Sequence, residues 1–451
     1  MHDRHVAGLN VVDPLALIPA PAVSGARRPA VLLVVTGTLG DVAPMAAVAH
    51  RLAGSCDITV MTSCEYFSLF SDRIERQPTL RALTSSAESV LMSPAGVRAI
   101  EGGFGGLRRM AGFHALVRDE LTRFQFDVAN LLGQQQWSLV VTAGPTIGVE
   151  QMATERGIPV RRVQYQPTWP SPEQQSMYWS RRPTNSDAAR RISRSLAERG
   201  SQRLFRAALR GQQLSTRPRL DESLHLGLPT WFALPSLLAT HAIAESPIGL
   251  TVGFVRPHLP EPSNLLLATA DRLSMRRSRR PRVFIGFGSM RTPYAHRLTD
   301  HFVSAALSIG AEPLVQKGDG GTPTPAALDS QCRSEEVLLV PPGDHRYVFP
   351  HVDLVVCHGG IGTCVAALDA GVPMVIVPQW LDQFYWAQQF EQLGLAKAGY
   401  RVHSPTRARD LIIAALQIDT ASPAAEELRA SDGLDMIAAG ASGMIQGVAT
   451  P

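Results

Sequence analysis

The chain has 451 residues, which exceeds what one core usually holds and fits two domains of roughly 200 residues each. Hydrophobic residues make up 45% and charged residues 18%, a balance that argues against extensive disorder, and no apolar run reaches the ~20 residues needed to span a bilayer. The net charge of +4 is too modest to indicate a nucleic-acid partner, and nearly all the positive charge is arginine, with Lys317 and Lys397 the only lysines.

Residues 1–28 contain Pro14, Pro19 and Pro21 and end on Arg27 and Arg28. A signal peptide would place its positive charge ahead of a continuous apolar stretch. Here the arginines follow it and Asp13-Pro14 interrupts it, so the segment reads as a flexible extension and the location as cytoplasmic. The five cysteines (Cys56, Cys64, Cys332, Cys357 and Cys364) show no metal-ligand spacing and read as reduced thiols, mostly buried.

Residues 31–35 form an apolar strand. They run into Thr36, Gly37, Thr38, Leu39, Gly40 and Asp41, and then into a helix expected to start near Pro44 and to continue to about Leu52. The glycines do not fit the Gly-x-Gly-x-x-Gly dinucleotide pattern. Read from its own segment, Asp41 is an N-cap of that helix. Further strands are expected at 57–62, 138–142 and 159–165, with a helix over about 147–156. The alternation implies a parallel sheet covered on both faces. Between residues 66 and 126 the pattern is irregular: Gly102, Gly103, Gly105 and Gly106 precede a helix carrying Met110, Phe113, His114 and Leu116. This stretch reads either as a mobile pocket wall or as a plain surface loop. Residues 181–210 hold nine arginines against Asp187 and Glu198, with Ile192, Leu196, Leu204, Phe205 and Leu209 at roughly helical spacing. That is an amphipathic basic helix, which could be a solvated face, or could meet an acidic acceptor, a partner protein or an anionic membrane surface.

Pro257, Pro260 and Pro262 mark residues 256–280 as a linker. The second domain then opens with a strand at 283–285 that leads into Gly286, Phe287, Gly288, Ser289 and Met290. Strands are expected at 312–316 and 337–340, the latter followed by the loop Pro341, Pro342, Gly343, Asp344 and His345. A buried strand at 354–357 ends in His358, Gly359, Gly360, Ile361, Gly362 and Thr363, and an alanine-rich helix follows and stops at Gly371. The first turn of a helix presents unpaired N–H groups and the positive end of its dipole, so this junction suits an anion such as phosphate. Glycine-rich turns also occur in ordinary strand-to-helix connections. The next strand, 373–378, however, brings Asp382 and Gln383 to the same end of the sheet, where open α/β sheets bind ligands. A further helix includes residues 409–413.

His358, Gly359, Gly360, Ile361, Gly362 and Thr363, with Ala370-Gly371-Val372-Pro373 and Pro378 before Asp382-Gln383, resemble the donor-binding signature of inverting, metal-independent nucleotide-sugar glycosyltransferases of the GT-B fold. The branch most similar is that of bacterial natural-product (antibiotic) enzymes, related to sterol and plant glycosyltransferases. The resemblance implies an α/β architecture of two Rossmann-like domains facing each other across a cleft. Residues 29–255 would bind the acceptor and 281–430 the donor, with 431–451 packing back on the first domain. Gly37-Thr38-Leu39-Gly40-Asp41 with Pro44 resembles the family's N-terminal motif, which makes Asp41 the general base. Ser289, His358, Gly360, Gly362 and Thr363 would hold the donor diphosphate, and Asp382 and Gln383 the sugar. The co-substrate is then a nucleoside diphosphate sugar and the partner a small-molecule acceptor, with no metal or other cofactor; the chain also lacks an Asp-x-Asp pair.

Three departures stand out. Leu39 replaces an arginine common in relatives. The loop that would face the nucleotide base carries a doubled proline and Asp344. Ala366 occupies the place, eight residues after His358, where plant relatives have a glutamate for the ribose hydroxyls, and this points to a thymidine diphosphate deoxysugar. Two other classes fit the same motifs: a nucleotide-sugar epimerase of the same fold, and a non-catalytic partner of another glycosyltransferase.

Overall fold

The computed structural model describes residues 28–71, 76–85, 93, 107–146, 148–166, 188, 229–239, 249–275, 279–288, 293–316, 337–379 and 382–447. The glycine-rich segment 102–106 and the basic segment 181–210, except residue 188, lie outside them, as do Ser289 and the side chain of His114.

Two fully parallel sheets organise the chain. The first joins β1 (Ala30–Val35), β2 (Asp57–Thr62), β3 (Thr79–Ala82), β4 (Leu139–Ala143), β5 (Val160–Gln164), β6 (Thr230–Phe232) and β7 (Gly249–Thr251) in the order β3-β2-β1-β4-β5-β6-β7. The second joins β8 (Arg282–Gly286), β9 (Glu312–Gln316), β10 (Leu338–Val340), β11 (Leu354–Cys357), β12 (Met374–Ile376) and β13 (Ala396–Ala398) in the order β10-β9-β8-β11-β12-β13. In each sheet the chain winds outward from one strand and then returns to its other side. The reversals fall between β1 and β4 and between β8 and β11, and at such points the connecting turns splay apart and leave a crevice.

Each sheet is covered on both faces. Val31, Leu33 and Val35 of β1 enter one core, while Leu32 and Val34 enter the core on the opposite face. Leu354 and Val356 of β11 are likewise separated from Val355 and Cys357. This is the period-two division of a strand buried on both sides. Within the first sheet, buried Glu150 ties strand to helix: its Oε1 accepts from the hydroxyls of Thr142 and Thr146 and from Nε and Nη2 of Arg162.

The first helix, α1, spans Leu39–Ala53, five residues earlier than expected from Pro44. Pro44 lies inside it and lacks the N–H that would have bonded the Gly40 carbonyl. The stretch read as a linker also holds a helix, Asn264–Met275. Its Leu266 and Leu273 are buried in the core of the second sheet, and Arg282 Nη1 donates to the Leu273 carbonyl at 2.9 Å. The short strands β3, β6, β7 and β13 add to those read from the sequence.

The two sheets are joined by packing and polar contacts. Phe232, Leu234, Leu238 and Phe254, from the end of the first sheet, share a core with Tyr385 and Trp386 of the second, and the Tyr385 hydroxyl donates to the Leu238 carbonyl at 2.6 Å. At the C-terminus, helix Leu434–Ile445 returns to the first sheet, where Ile437, Ala438 and Ala441 pack into the α1 core. Among the described residues no helix is long and apolar enough to cross a membrane.

Candidate active site

Asp41 stands on the turn that leaves β1, at the reversal point of the first sheet. Thr38 rather than Asp41 is the N-cap of α1, and Asp41 occupies the third helical position. From there its Oδ2 accepts from the Thr38 N–H at 2.9 Å and the Thr38 hydroxyl at 3.2 Å. The spacing Thr38-x-x-Asp41 is a short-armed variant of the capping box, the sequence signal that would have placed the helix start correctly. Gly37 makes the arrangement possible. Its φ of +121° favours glycine, and a Cβ there would collide with Asp41 Oδ2. One carboxylate oxygen is thus anchored, and Oδ1 makes no hydrogen bond among the described residues. Burial raises the Asp41 pKa above its ordinary value, against the lowering effect of the two Thr38 bonds. The carboxylate is therefore a stronger base than one in water.

At the reversal point of the second sheet the turns after β8 and β11 interlock through an imidazole. A Cβ on Gly288 would lie 2.8 Å from His358 Cε1, and one on Gly360 would lie 2.7 Å from His358 Nε2. Gly288 also has a φ of +68°. These glycines thus make room for the His358 ring rather than for a ligand. Burial, with a smaller effect from His345, lowers the His358 pKa to about 4, so the ring is neutral near pH 7. Its Nδ1 is buried and has no hydrogen-bond partner among the described residues.

Helix Ile361–Asp369 starts from Gly360 as N-cap and places the N–H groups of Ile361, Gly362 and Thr363 at the mouth of this turn. Gly362 differs from its neighbours. A Cβ there would meet nothing within 4 Å, and its φ is not positive. Neither backbone nor packing demands glycine at that position, and the space it leaves lies beside the positive end of the helix.

Asp382 and Gln383 follow β12 at the same end of the second sheet. Asp382 caps helix Gln383–Gln392 from its own αR backbone, and its Oδ2 accepts from Trp386 Nε1 at 2.8 Å. Trp386, one helical turn on, is a supporting residue that the sequence reading missed. Gln383 is buried, and its Oε1 accepts from the Gln379 N–H at 2.9 Å. Burial raises the Asp382 pKa to about 6, and the negative charge of Asp41 adds to the rise. The two carboxylates are therefore within electrostatic reach of one another.

The loop after β10 is internally satisfied. Buried Asp344 accepts from the Arg346 N–H at 2.9 Å and pairs with its guanidinium through Nε at 2.8 Å and Nη2 at 2.6 Å. His345 stacks on Phe349 with ring centroids 4.6 Å apart, and its Nε2 lies 3.3 Å from Gln316 Oε1. Of the residues singled out in the sequence, Asp41, His358, Gly360, Gly362, Thr363, Asp382 and Gln383 all lie on the turns at the carboxyl ends of the two sheets. Ser289 lies outside the described residues. Among the described residues no group of three or more His, Cys, Asp or Glu could hold a metal ion.

Comparison with known proteins gives matches at two scales. Residues 346–428 match the family model "Glycosyltransferase family 28 C-terminal domain". The sterol 3-beta-glucosyltransferase of Cryptococcus neoformans is 31% identical over 163 residues, which is 34% of this chain and 10% of that protein. The sterol 3-beta-glucosyltransferase of Arabidopsis thaliana is 36% identical over 118 residues, 26% of this chain and 18% of the relative. The chain therefore spans only a small part of the length of these curated relatives. Solved structures match along almost the whole chain. The glycosyltransferase of kitacinnamycin superposes with a TM-score of 0.64 at 17% identity, over 93% of this chain and 100% of the other. The calicheamicin glycosyltransferase CalG4 superposes with a TM-score of 0.60 at 17% identity, over 94% and 98%. The chain thus has the two-sheet GT-B fold of these enzymes, and its residues 346–428 match the C-terminal domain of glycosyltransferase family 28.

Proposed function

We propose that the protein transfers a sugar, with inversion, from a nucleoside diphosphate donor to a hydroxyl of a small natural-product acceptor. The observation that carries this reading is the placement of Asp41, a carboxylate with one uncommitted oxygen, within electrostatic reach of Asp382, which follows β12 at the same sheet end as the open helix terminus at Gly362. An alcohol is too weak an acid to ionise in advance, so Asp41 Oδ1 takes its proton as the oxygen attacks the anomeric carbon. The departing diphosphate gains charge at the first turn of Ile361–Asp369, where the backbone N–H groups of Gly362 and Thr363, Gly360, His358 and Ser289 receive it. Asp382 and Gln383 take the sugar hydroxyls. Because the protein supplies positive charge to the leaving group, the reaction needs no divalent ion. Residues 29–255 form the acceptor side and 281–430 the donor side.

The proposal of a natural-product acceptor is supported by the solved structures that superpose along nearly the whole chain, among them the glycosyltransferases of kitacinnamycin and calicheamicin. The sterol enzymes align in sequence over about a third of the chain. Solved relatives are complexed with dTDP and with thymidine diphosphate, which supports a thymidine donor, as does Ala366. The test is to incubate the protein and a panel of polyketide and phenolic acceptors with dTDP- and UDP-sugars in excess EDTA. Release of nucleoside diphosphate with a product of inverted anomeric configuration is expected. Epimerised donor without transfer, or an absolute need for magnesium, would overturn the reading.

A further inference from the structure

Among the described residues the chain passes between the two sheets twice. After β7 it runs through residues 252–262 to helix Asn264–Met275, and after helix Pro423–Ala430 it returns through residues 431–433 to helix Leu434–Ile445. The two passages lie against each other. The Gly433 N–H donates to the Phe254 carbonyl at 2.7 Å. A Cβ on Gly253, whose φ is +99°, would lie 2.5 Å from Ser431 Oγ, and one on Gly433 would lie 2.6 Å from the Gly253 carbonyl oxygen. Two backbone passages this close act as one joint, and small changes of φ and ψ there would rotate one sheet against the other.

Arg256 sits at the joint. Its Nε and Nη2 donate to Asp369 Oδ2 and Oδ1, both at 2.8 Å, while Nη1 donates to the Ser431 carbonyl at 2.6 Å and Nη2 to the Arg429 carbonyl at 2.8 Å. One guanidinium thus ties both passages to Asp369, the last residue of helix Ile361–Asp369. The first turn of that helix forms the candidate phosphate site. A helix of nine residues is a rigid rod of about 13 Å, so holding its far end fixes where its near end points. A carboxylate in the last turn is unfavourable beside the negative end of the helix dipole, and the Arg256 fork offsets it. Both side chains are 29% exposed, where a simple ion pair contributes little. A bidentate pair with two further carbonyl bonds constrains direction as well as distance.

We propose that Arg256 is a positioning residue: through Asp369 it sets the angle between the donor-side helix and the joint, and so keeps the second sheet in register with Asp41. This rests on the reading of Asp41 as the base. Attack needs the acceptor oxygen within about 3–3.5 Å of the anomeric carbon while Asp41 takes its proton, and the groups that arrange this belong to different sheets. A misplacement of ~1 Å can lower the rate on the order of a hundredfold. Arg256 therefore acts on the rate without touching substrate.

Asp369→Asn keeps the shape of the side chain and removes the charge that the fork grips. Arg256→Lys keeps the charge and removes the fork. Wild type, both variants and the double variant are compared in three measurements. The first is the distance distribution between spin labels on exposed Cys64 and on Arg409→Cys, with Cys332→Ser throughout. The others are the dTDP Kd, and kcat for release of glucose from dTDP-glucose with water as acceptor. Each single variant should show a longer or broader distance distribution and a kcat about tenfold lower, with the dTDP Kd within about twofold of wild type. The double variant should be no worse than the worse single one, because both substitutions break the same contact. An unchanged distance distribution in both single variants overturns the proposal. So does a changed distribution with wild-type kcat, since the angle then does not matter to the reaction. A dTDP Kd that weakens in step with kcat also overturns it, because the pair then shapes the phosphate site itself. Asp41→Asn, run alongside, keeps the two readings apart. A wild-type kcat there overturns the base, whereas a changed distance distribution in Asp369→Asn still supports Arg256 as the residue that sets the angle.

Discussion

Asp41, one turn beyond β1, raises the pKa of Asp382, one turn beyond β12, across the junction of the two sheets. The carboxylate that would take the acceptor's proton and the one that would hold the sugar are therefore within each other's field. Each is fixed by a neighbour in its own helix: Thr38 holds Asp41, and Trp386 holds Asp382.

Asp382 should make stability fall as pH rises. Burial and Asp41 hold its pKa at about 6 against an ordinary 3.8, so the folded state keeps its proton longer than the unfolded state does. The stabilisation from this proton is complete below about pH 4 and is lost as pH climbs through 6. Asp382→Asn cannot titrate. Relative to wild type it should gain on the order of 1–3 kcal/mol between pH 4 and 7.5, allowing for partial exposure. Urea unfolding of both proteins at pH 4.5 and 7.5 measures the gap. A gap that does not widen with pH would contradict the assignment.

His358 and His345 carry the opposite sign. Burial lowers both to about 4 from 6.5, so each is neutral in the fold, and stability drains away as pH falls from about 6.5 toward 4. A diphosphate placed against His358 would raise its pKa. Binding dTDP near pH 5.5 should therefore take up protons, seen by calorimetry as an enthalpy that differs between buffers of different ionisation enthalpy. His358→Gln should abolish the difference. Equal enthalpies in wild type would remove His358 from the diphosphate site.

Gly362→Ala separates binding from folding. The added Cβ meets no atom within 4 Å, so Tm should hold or rise, with a helix-propensity gain of up to ~1 kcal/mol. The same methyl occupies the approach to the helix terminus and should weaken dTDP binding about tenfold or more. Gly360→Ala is the contrast, because its Cβ would strike His358 and both stability and binding should fall. Wild-type dTDP affinity in Gly362→Ala would mean that the open space has no ligand role.

How far the sequence reached depended on how much chemistry each short segment contained. The turn from His358 to Thr363 was legible because a histidine, three glycines and a threonine after an apolar strand combine several signals at one point. β13 (Ala396–Ala398) and β7 (Gly249–Thr251) were not, since three residues carry too little periodicity to separate a strand from a loop. The start of α1 was misread because Pro44 favours a first-turn position, whereas the chain tolerates it deeper in the helix, after a capping turn made by Thr38 and Asp41. The role of Gly288 as room for the His358 ring lies in a contact between turns seventy residues apart. No local pattern announces that.

The proposed thymidine preference rests on Ala366 and the loop after β10. Ala366 carries no carboxylate, and Asp344, the carboxylate of the loop after β10, is already paired with Arg346. A site without that acceptor loses little when the 2′-hydroxyl is missing. The expected outcome is a higher kcat/KM for dTDP-glucose than for UDP-glucose. A clear preference for the uridine donor would point to another acceptor for the ribose.

Asp41→Asn tests the central claim most directly, because asparagine can keep the Oδ contact with the Thr38 N–H but cannot take a proton. Transfer from a dTDP-sugar and dTDP affinity are measured on the same preparations. The account expects kcat to fall by a factor on the order of a hundred or more, with the dTDP Kd nearly unchanged. Wild-type turnover in this variant would contradict Asp41 as the base, and with it the mechanism built on the meeting of the two sheets.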